Sequence, residues 1–368
     1  MAELSKRSTL EKITPYTPGK PIEEVKRELG IEKVTKMASN ENPLGPSPRA
    51  MEALREHLPS INIYPDGNAY NLKQGLMEYL DVKDTNILVG NGADELITLA
   101  AKTYLNPGDE IIMAQPSFGQ YQFAALVMDA EPKGVVTKDY RHDLPAMLDA
   151  VTDKTRMIFI CNPNNPTGTI VTHQELEDFF SRLPEGILVV IDEAYYEFAT
   201  DPSYPRTLEF LKNGHDILIL RTFSKIYGLA GLRIGYGLSK EKIVNDINTV
   251  RQPFNANAAG QIAAAAALQD KEYVEKVRRV NEEGKKYLEE ELEKMGLFFL
   301  PTQANFMFID MGVDSRDLFQ RMLRKGVIVR TGDIFGYPNF IRLTIGTQEQ
   351  NQRFIEALKE TYAEMENK

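Results

Sequence analysis

The feature that most constrains the fold is an alternation of short apolar, β-branched runs with amphipathic helical patterns. In chain order the runs are "ILVG", "EIIMA", "KGVVT", "MIFIC", "ILVVID", "DILIL" and "RIGYG". Patterns such as "ADELITLAAKTYL" and "THQELEDFFSRL" lie between them and repeat apolar residues at helical spacing. Strands that alternate with helices in this way form a largely parallel sheet with helices on both faces. We therefore predict an α/β fold with a mostly parallel seven-stranded sheet.

The sequence changes character on both sides of this alternating region. Prolines cluster in "TPYTPGKPIEE" and "NENPLGPSPRA", which predicts an irregular N-terminal arm. After "AAGQIAAAAAL", a long charged helix over about residues 271–295 leads to the strands "FMFID", "VIVR" and "IRLTIG" and to helices near residues 315–324 and 348–362. We predict an arm over residues 1–44, a large domain over 45–268 and a smaller α/β domain over 269–368, with a cleft between the domains.

Composition excludes several classes of function. The formal net charge is −10 and basic residues are scattered among acidic ones, so we expect no nucleic-acid partner. No run approaches the roughly 18 apolar residues of a membrane span, so we expect no membrane partner. The single cysteine, Cys161, excludes an internal disulfide, and the four histidines have no metal-binding spacing. We expect a cytoplasmic protein without a metal, in which local arginines, backbone amides or helix N-termini hold any anionic ligand.

Four polar motifs follow directly after predicted strands. "GNGADE" follows "ILV", "CNPNNPTG" follows "MIFI", "DEAYY" follows "LVVI" and "RTFSK" follows "ILIL". In open α/β sheets ligands bind beyond the carboxyl ends of the strands, so the four motifs are expected to meet at one edge. The sequence contains neither a G-x-S-x-G elbow nor a G-x-x-x-x-G-K-[ST] phosphate loop. The chemistry is therefore expected to come from the four motifs.

Lys225 in "RTFSK" is the candidate nucleophile. A lysine that is screened from water and close to a cation has a lowered pKa, so its amine can form a Schiff base with an aldehyde. Asp192, taken alone, is typical of a helix cap or turn, but beside a protonated ring nitrogen its carboxylate would make that ring an electron sink. Tyr195 and Asn165 could hydrogen-bond an oxygen of the same ring, although Asn165 also suits an ordinary Asx turn.

A phosphate group would complete this ligand. A helix that begins near Ala93 or Asp94 presents free backbone amides to an anion, although the motif also suits a plain helix start. Thr222, Ser224 and Arg233 lie close enough in sequence to reach the same phosphate. A ring with a nitrogen, an oxygen, an aldehyde and a phosphate is pyridoxal 5'-phosphate, which we predict as the cofactor.

The motifs "NPNNPTG", "DEAYYEF" and "RTFSKIYGLAGLRIGYG", in this order and spacing, resemble those of the fold-type I pyridoxal-phosphate aminotransferases. "ITPYTPGKPIEEVKRELG", "KMASNENPLGPSP", "YPDG", "VIVRTGDIFG" and "IRLTIGTQEQN" are similar more narrowly to segments of histidinol-phosphate aminotransferases. The resemblance extends from about residue 16 to the last helix. It implies transfer of an amino group from L-histidinol phosphate to 2-oxoglutarate in histidine biosynthesis, with imidazole-acetol phosphate and L-glutamate as products.

The resemblance also implies roles for individual residues around the cofactor. Lys225 would hold the cofactor and move the substrate's proton, Asp192 would bind the ring nitrogen, and Tyr195 the ring oxygen. Phe118 would stack on the ring, where relatives often have tyrosine. Tyr64 would reach the phosphate from a second subunit, which implies a homodimer with shared active sites. The remaining cofactor contacts would be Ala93, Asp94, Asn165, Thr222, Ser224 and Arg233.

Substrate recognition is expected to depend on arginines of the smaller domain. Apolar residues alternate with Arg342 in "IRLTIGT", so a strand would turn Arg342 towards the cleft, where the resemblance implies that it grips a carboxylate. Tyr16, Asn40 and Arg330 match positions that line the rest of the substrate pocket. A strand-borne salt bridge is the plain alternative for each arginine, and which of the two dominates phosphate recognition is left open.

Three alternative functions share features with this hypothesis. An aromatic amino acid aminotransferase would keep the cofactor and change the donor. A pyridoxal-phosphate decarboxylase of a phosphorylated amino acid would keep the fold and change the reaction. A regulator built on an aminotransferase domain would need an added DNA-binding segment, which we do not expect before residue 16.

Overall fold

The structure is a computed structural model that describes residues 4–13, 15 and 19–366. Its helices are α1 (Ile22–Leu29), α2 (Pro48–His57), α3 (Tyr70–Leu80), α4 (Ala93–Tyr104), α5 (Gln120–Val127), α6 (Leu144–Asp149), α7 (His173–Arg182), α8 (Thr207–Lys212), α9 (Glu241–Asn248), α10 (Ala258–Leu268), α11 (Lys271–Lys294), α12 (Ser315–Arg324) and α13 (Gln348–Glu366). Its strands are β1 (Thr35–Lys36), β2 (Ile87–Gly90), β3 (Glu110–Gln115), β4 (Glu131–Val136), β5 (Thr155–Cys161), β6 (Leu188–Asp192), β7 (Ile217–Thr222), β8 (Gly235–Ser239), β9 (Phe298–Phe299), β10 (Phe306–Asp310), β11 (Val327–Ile328), β12 (Arg330–Thr331) and β13 (Phe340–Thr344).

The larger sheet contains the seven predicted strands in the order β2-β8-β7-β6-β5-β3-β4. Strand β8 is antiparallel to both of its neighbours, whereas the remaining neighbours pair in parallel. The predicted α/β fold with a mostly parallel seven-stranded sheet is therefore confirmed. Most strand boundaries differ from the predicted runs by one or two residues, and two of these differences have a clear structural reason. β4 begins before Pro132, which an edge strand tolerates, and β8 begins after Arg233, whose φ of 51° lies in the left-handed region.

Helices cover both faces of this sheet because its central strands are apolar on both sides. One apolar cluster contains Val189, Ile191, Ile217 and Ile219 of β6 and β7. A second cluster on the opposite face contains the alternate residues Leu188, Val190, Leu218 and Leu220. A strand buried on both faces reads as a continuous apolar run, which is why the sequence pattern identified these strands. Their carboxyl ends lie side by side at one edge.

The smaller sheet is antiparallel and contains four strands, in the order β12-β13-β10-β9. Residues of α11, α12 and α13 pack on it in a separate apolar cluster. The run "VIVR", expected to be one strand, is divided between two sheets. β11 pairs in parallel with β1 of the N-terminal segment, and β12 pairs with β13. The division arises because the two halves of the run have different hydrogen-bonding partners.

The N-terminal segment joins the two sheet systems. The Met37 amide donates to the Ile328 carbonyl at 2.8 Å, and the Thr344 amide donates to the Met37 carbonyl at 2.9 Å. Farther along, the Asn42 side chain donates to the Ile226 carbonyl at 2.7 Å, beside the larger sheet. Within residues 4–13, 15 and 19–366, the structure contains no helix with the length and apolarity of a membrane span.

Candidate active site

The carboxyl edge of the larger sheet opens into a cavity of about 300 Å³ that also borders the N-terminal segment and the smaller sheet. Predicted site residues from three parts of the chain line it. They are Asn40, Ala93, Asp94, Phe118, Asn165, Asp192, Tyr195, Thr222, Ser224, Lys225, Arg233, Arg330 and Arg342. The four strand-end motifs meet as expected, because parallel strands bring their carboxyl ends to one edge.

Lys225 lies three residues beyond the end of β7 and lines the cavity. Its Nζ donates a hydrogen bond to the Ser39 carbonyl at 3.3 Å and lies 5.5 Å from the centre of the Tyr195 ring. Burial and, as the second cause, the positive charge of Arg342 lower the pKa of the Lys225 amine to about 8. Roughly a tenth of the amine is thus unprotonated at pH 7, which supplies the form that a lysine nucleophile requires.

Asp192 ends β6 and is almost completely buried. The Tyr121 hydroxyl donates to its Oδ2 at 2.7 Å, and the Ala194 amide donates to its Oδ1 at 3.0 Å. Burial raises the pKa of the Asp192 carboxyl to about 6, while these two hydrogen bonds oppose the rise. A cation beside the carboxylate would lower that pKa, so this position fits the protonated ring nitrogen of the predicted cofactor.

The other end of the cavity is suited to a phosphate. Helix α4 begins at Ala93 after Gly92, which has a φ of 82°, and its first two residues line the cavity, so its N-terminus can offer free amides to an anion there. A Cβ on Gly92 would lie 2.8 Å from the Arg233 guanidinium, so glycine allows the arginine to approach. Arg233 Nη1 donates to Ser224 Oγ at 3.4 Å, and Nη2 forms an ion pair with Asp94 at 3.5 Å. Amides, a hydroxyl and a guanidinium converge here, as phosphate oxygens require.

Asn165 and Tyr195 lie between these two ends. Asn165 Oδ1 accepts a hydrogen bond from Arg342 Nη1 at 2.6 Å, which fixes the amide and leaves its Nδ2 to donate to a ligand oxygen. The Tyr195 hydroxyl accepts from Asn40 Nδ2 at 3.0 Å and can donate its own proton. Burial raises the pKa of the Tyr195 phenol, so the group remains neutral at physiological pH. Both side chains suit the ring oxygen of the predicted cofactor.

Two arginines stand side by side on the smaller sheet. Arg330 of β12 pairs in register with Arg342 of β13, and both line the cavity. Arg342 is buried, and its Nη2 donates to the Ala38 carbonyl at 2.8 Å. The rings of Phe306 and Phe335 lie 5.5 and 5.7 Å from its guanidinium carbon. The sequence predicted that Arg342 turns towards the cleft and that Arg330 lines the pocket, but not their adjacency, which depends on the division of "VIVR" between two sheets.

Other functional residues were missed by sequence reasoning. The carbonyls of Ala38 and Ser39 hold Arg342 and Lys225, but a backbone carbonyl leaves no mark in the sequence. Tyr121 contacts Asp192 directly and is fully buried. Its spacing of three residues from Phe118 in "PSFGQY" was an available signal, and the two rings meet edge to face at 5.7 Å.

Two predicted residues lie outside the cavity of this chain. Tyr64 is absent from the lining, is 79% exposed and stacks on Phe254 with ring centres 4.8 Å apart. Its predicted role in a second subunit stays a prediction. Tyr16 lies outside the residues that the structure describes. Among the described residues there is no cluster of three or more metal-ligating side chains.

The chain matches known proteins over most of its length. The family model for class I and II aminotransferases matches residues 32–358. The histidinol-phosphate aminotransferase of Moorella thermoacetica is 54% identical over 358 residues, which cover 97% of this chain and 93% of the relative. Histidinol-phosphate aminotransferase 2 of Carboxydothermus hydrogenoformans is 49% identical over 96% of this chain and 98% of the relative. The crystal structure of histidinol-phosphate aminotransferase from Sinorhizobium meliloti in complex with pyridoxal 5'-phosphate superposes with a TM-score of 0.91, at 27% identity over 99% of both chains.

Proposed function

The chain belongs to the class I and II aminotransferases, and from this membership we propose that it moves the amino group of L-histidinol phosphate to 2-oxoglutarate with pyridoxal 5'-phosphate as cofactor. Imidazole-acetol phosphate and L-glutamate are the products, and the reaction belongs to histidine biosynthesis. The observation that carries the proposal is the meeting of Lys225, Asp192 and Arg342 in one cavity. The names of the relatives favour histidinol phosphate over an aromatic donor and transamination over decarboxylation.

The residues of the cavity fit this cofactor, as the Asp192 carboxylate and the phosphate-suited end of the cavity indicate. When bound, the cofactor would supply an aldehyde that accepts an amino nitrogen and a protonated ring that withdraws electrons from the substrate's α-carbon. Lys225 Nζ would hold the aldehyde end of the cofactor and, when free, move the proton of the α-carbon. The Ser39 carbonyl, 3.3 Å from Nζ, orients the released amine.

The remaining polar groups would bind and orient the cofactor. Asp192 holds the ring nitrogen, and Asn165 and Tyr195 hold the ring oxygen. Phe118 packs on the ring face. The phosphate is held by the amides of Ala93 and Asp94 and the side chains of Thr222, Ser224 and Arg233.

Arg342 and Arg330 recognise the anionic groups of the substrates. Glutamate brings two carboxylates and histidinol phosphate brings a phosphate, and a guanidinium binds either group through paired hydrogen bonds. Asn40 and Tyr16 complete the substrate pocket in this proposal. The Asn40 backbone amide donates to the Thr344 hydroxyl at 2.8 Å, and its backbone carbonyl accepts from the Asn305 side chain at 3.0 Å, which fixes the Asn40 backbone beside the smaller sheet.

The test is a set of single-turnover reactions of the cofactor-loaded enzyme with histidinol phosphate, phenylalanine and tyrosine. The visible absorbance band of the loaded enzyme should decay with the highest kcat/KM for histidinol phosphate, with weaker but measurable activity on the other two donors. A higher kcat/KM for phenylalanine or tyrosine would replace the substrate and keep the cofactor. Release of carbon dioxide from a phosphorylated amino acid, without amino transfer, would replace the reaction.

The assembly we propose is a homodimer in which Tyr64 serves the cofactor of the partner. An apolar surface supports it, formed by Leu58, Ile61, Ile63, Tyr64, Tyr70 and Phe254, each between 46% and 79% exposed. Several large apolar side chains exposed near one another in the chain, with Tyr64 stacked on Phe254, are typical of a protein interface. Tyr64 does not line the cavity of its own chain. A second copy of the chain is the partner whose cavity Tyr64 would reach.

The domain boundaries and the location also remain proposals. An arm over residues 1–44, a large domain over 45–268 and a small domain over 269–368 are compatible with the two sheets and with α11 as the connection between them. We place the enzyme in the cytoplasm because its single cysteine, Cys161, is buried and unpaired as a free thiol, which suits a reducing compartment.

A further inference from the structure

Tyr121 lies in the first turn of α5, behind the cavity rather than in its lining. Its side chain is fully buried. Its ring stacks on Phe159 of β5 with centres 4.6 Å apart and an interplanar angle of 15°. Phe118 meets the same ring edge to face at 5.7 Å. The ring is thus held on two sides, and the direction of its hydroxyl is fixed.

That hydroxyl donates to Asp192 Oδ2 at 2.7 Å, while the Ala194 amide donates to Oδ1 at 3.0 Å. One donor on each oxygen fixes the rotation of the carboxylate. A carboxylate oxygen has two lone pairs, so each oxygen keeps one for a further donor from the cavity. The plane of the carboxylate, and hence its direction towards a ring nitrogen, is set by Tyr121 and Ala194 together.

The hydrogen bonds from Tyr121 and Ala194 also influence where a proton shared between the Asp192 carboxylate and a ring nitrogen would lie. Burial raises the pKa of Asp192, and the negative charges of Asp94 and Glu193 act in the same direction. The hydroxyl of Tyr121 opposes them, and it is the strongest single group that does so. The Cys161 thiol lies beside the same hydroxyl, but burial raises its pKa to about 12, so it contributes no charge near neutral pH.

We propose that Tyr121 is a positioning residue that keeps the Asp192 carboxylate ionised and aimed, so that the proton shared with the cofactor stays on the ring nitrogen. The inference rests on the proposed function for the identity of the cofactor, but not for the substrate. Without the Tyr121 hydroxyl the carboxylate becomes a stronger base, and the proton moves along the hydrogen bond towards Asp192. The ring then withdraws electrons less effectively.

The test uses Tyr121→Phe, which keeps the ring and removes only the hydroxyl. Wild-type and variant enzymes are loaded with cofactor labelled with nitrogen-15 in the ring, and the ring resonance is measured at pH 7. We expect the resonance of the variant to move towards the value of neutral pyridine. We also expect kcat to fall about tenfold with KM for histidinol phosphate nearly unchanged, because one charge-assisted hydrogen bond is lost far from the substrate.

Tyr204→Phe is the matched control. It removes a hydroxyl that donates at 2.6 Å to the Asn162 carbonyl and leaves the hydrogen bonds of Asp192 in place. Its ring resonance should remain at the wild-type position. Equal resonances in wild type and Tyr121→Phe would overturn the role of Tyr121 and leave the proposed function standing. A wild-type enzyme that gives no bound resonance would overturn the proposed cofactor and the role of Tyr121 together.

A second variant covers the case in which Tyr121→Phe does not fold. 3-Fluorotyrosine at position 121 has nearly the same shape and a more acidic hydroxyl, which donates a stronger hydrogen bond. The ring resonance should then move towards the protonated value. An unchanged resonance, or a move towards the neutral value, would contradict the proposal.

Discussion

At the scale of single residues, the site depends on two cations held in one cavity. Lys225 and Arg342 are anchored by the neighbouring carbonyls of Ser39 and Ala38, at 3.3 and 2.8 Å. Their mutual repulsion favours the neutral amine of Lys225, whereas Arg342 remains charged at any physiological pH. In the proposed function, the same arginine would thus act on both the nucleophile and the substrate anion.

Replacement of Arg342 should therefore affect both roles. In Arg342→Gln we expect the pKa of the Lys225 amine to rise, because a neighbouring positive charge is removed. Lysine labelling of the cofactor-free enzyme as a function of pH measures this change. We also expect kcat/KM to fall roughly ten- to a hundredfold for histidinol phosphate and for glutamate, because each loses a charge-assisted contact.

Arg330→Gln is the control for the first effect, since Arg330 is not among the main groups that shift the pKa of Lys225. It should reduce kcat/KM while leaving the labelling profile of Lys225 as in the wild type. A Lys225 profile that is the same in Arg342→Gln and the wild type would show that Arg342 does not contribute to the lowered pKa of Lys225.

Glu197 gives a prediction on pH dependence. It is buried, and neither carboxyl oxygen has a hydrogen-bond partner among the described residues. Burial raises its pKa from the ordinary value of 4.5 to about 8, so between these pH values the folded state binds a proton that the unfolded state has lost. Stability should therefore fall as pH rises through this window. From pH 6 to pH 8 the loss is on the order of 2 kcal/mol.

Glu197→Gln should remove this loss, because an amide does not ionise. Thermal unfolding midpoints of the two proteins at pH 6 and pH 8 provide the comparison. The wild type should lose more stability between the two values than the variant. Parallel changes in the two midpoints would mean that Glu197 does not titrate in this range.

At the scale of elements, an ion pair joins the carboxyl ends of β6 and β7. Arg221 Nη2 lies 2.8 Å from Glu193 Oε2, and the two side chains are 5% and 0% exposed. Thr207 donates to the other oxygen of Glu193 at 2.9 Å. Glu193 follows Asp192 at the end of β6 and Arg221 precedes Thr222 in β7, so the pair fixes the spacing between the residues that we propose for the ring nitrogen and the phosphate.

Loss of one partner of this pair should be strongly destabilising. We expect Arg221→Met to lower the free energy of unfolding by about 3–5 kcal/mol, because Glu193 is left as an uncompensated buried charge. Urea unfolding measures the loss, with Lys242→Met, which breaks the exposed Lys242–Asp246 pair, as a control of little effect. The double variant Arg221→Met, Glu193→Gln should be more stable than Arg221→Met alone. Equal stability of these two variants would show that the pair is not coupled.

At the scale of the whole molecule, the charge of the chain and the charge of the site have opposite signs. The net charge is −10, yet Arg233, Arg330 and Arg342 line one cavity. Anionic ligands are therefore attracted only locally, by arginines at the edges of two sheets. The exposed apolar surface around Tyr64 lies apart from this cavity, which is the arrangement expected if two copies complete each other's sites.

Mixed dimers test this arrangement. Lys225→Ala and Tyr64→Ala chains are each expected to be impaired, but one of the two sites in a mixed dimer keeps both residues. Activity should therefore reappear after the two proteins are mixed and their subunits exchange. A mixture of Lys225→Ala with the double variant Lys225→Ala, Tyr64→Ala gives the background. No recovery, after exchange has been demonstrated, would mean that each site is built from one chain.

The sequence by itself determined the seven strands of the larger sheet and the residues at their carboxyl ends. A strand buried on both faces must be apolar along its length, so runs such as "ILVVID" and "DILIL" are visible in the sequence. Parallel pairing then brings the ends together, which is why Asp192 and Lys225 could be assigned to one edge before their distance was known.

Only the tertiary structure decided which groups touch across that edge. The hydroxyl of Tyr121 on Asp192, the carbonyl of Ser39 on Lys225 and the pairing of Arg330 with Arg342 join residues from separate elements. The division of "VIVR" between two sheets was also decided by the tertiary structure. Local β propensity cannot show that the two halves of so short a run pair with different strands. Local periodicity reports which face of an element is buried, whereas the partner on that face is set by packing between segments far apart in the chain.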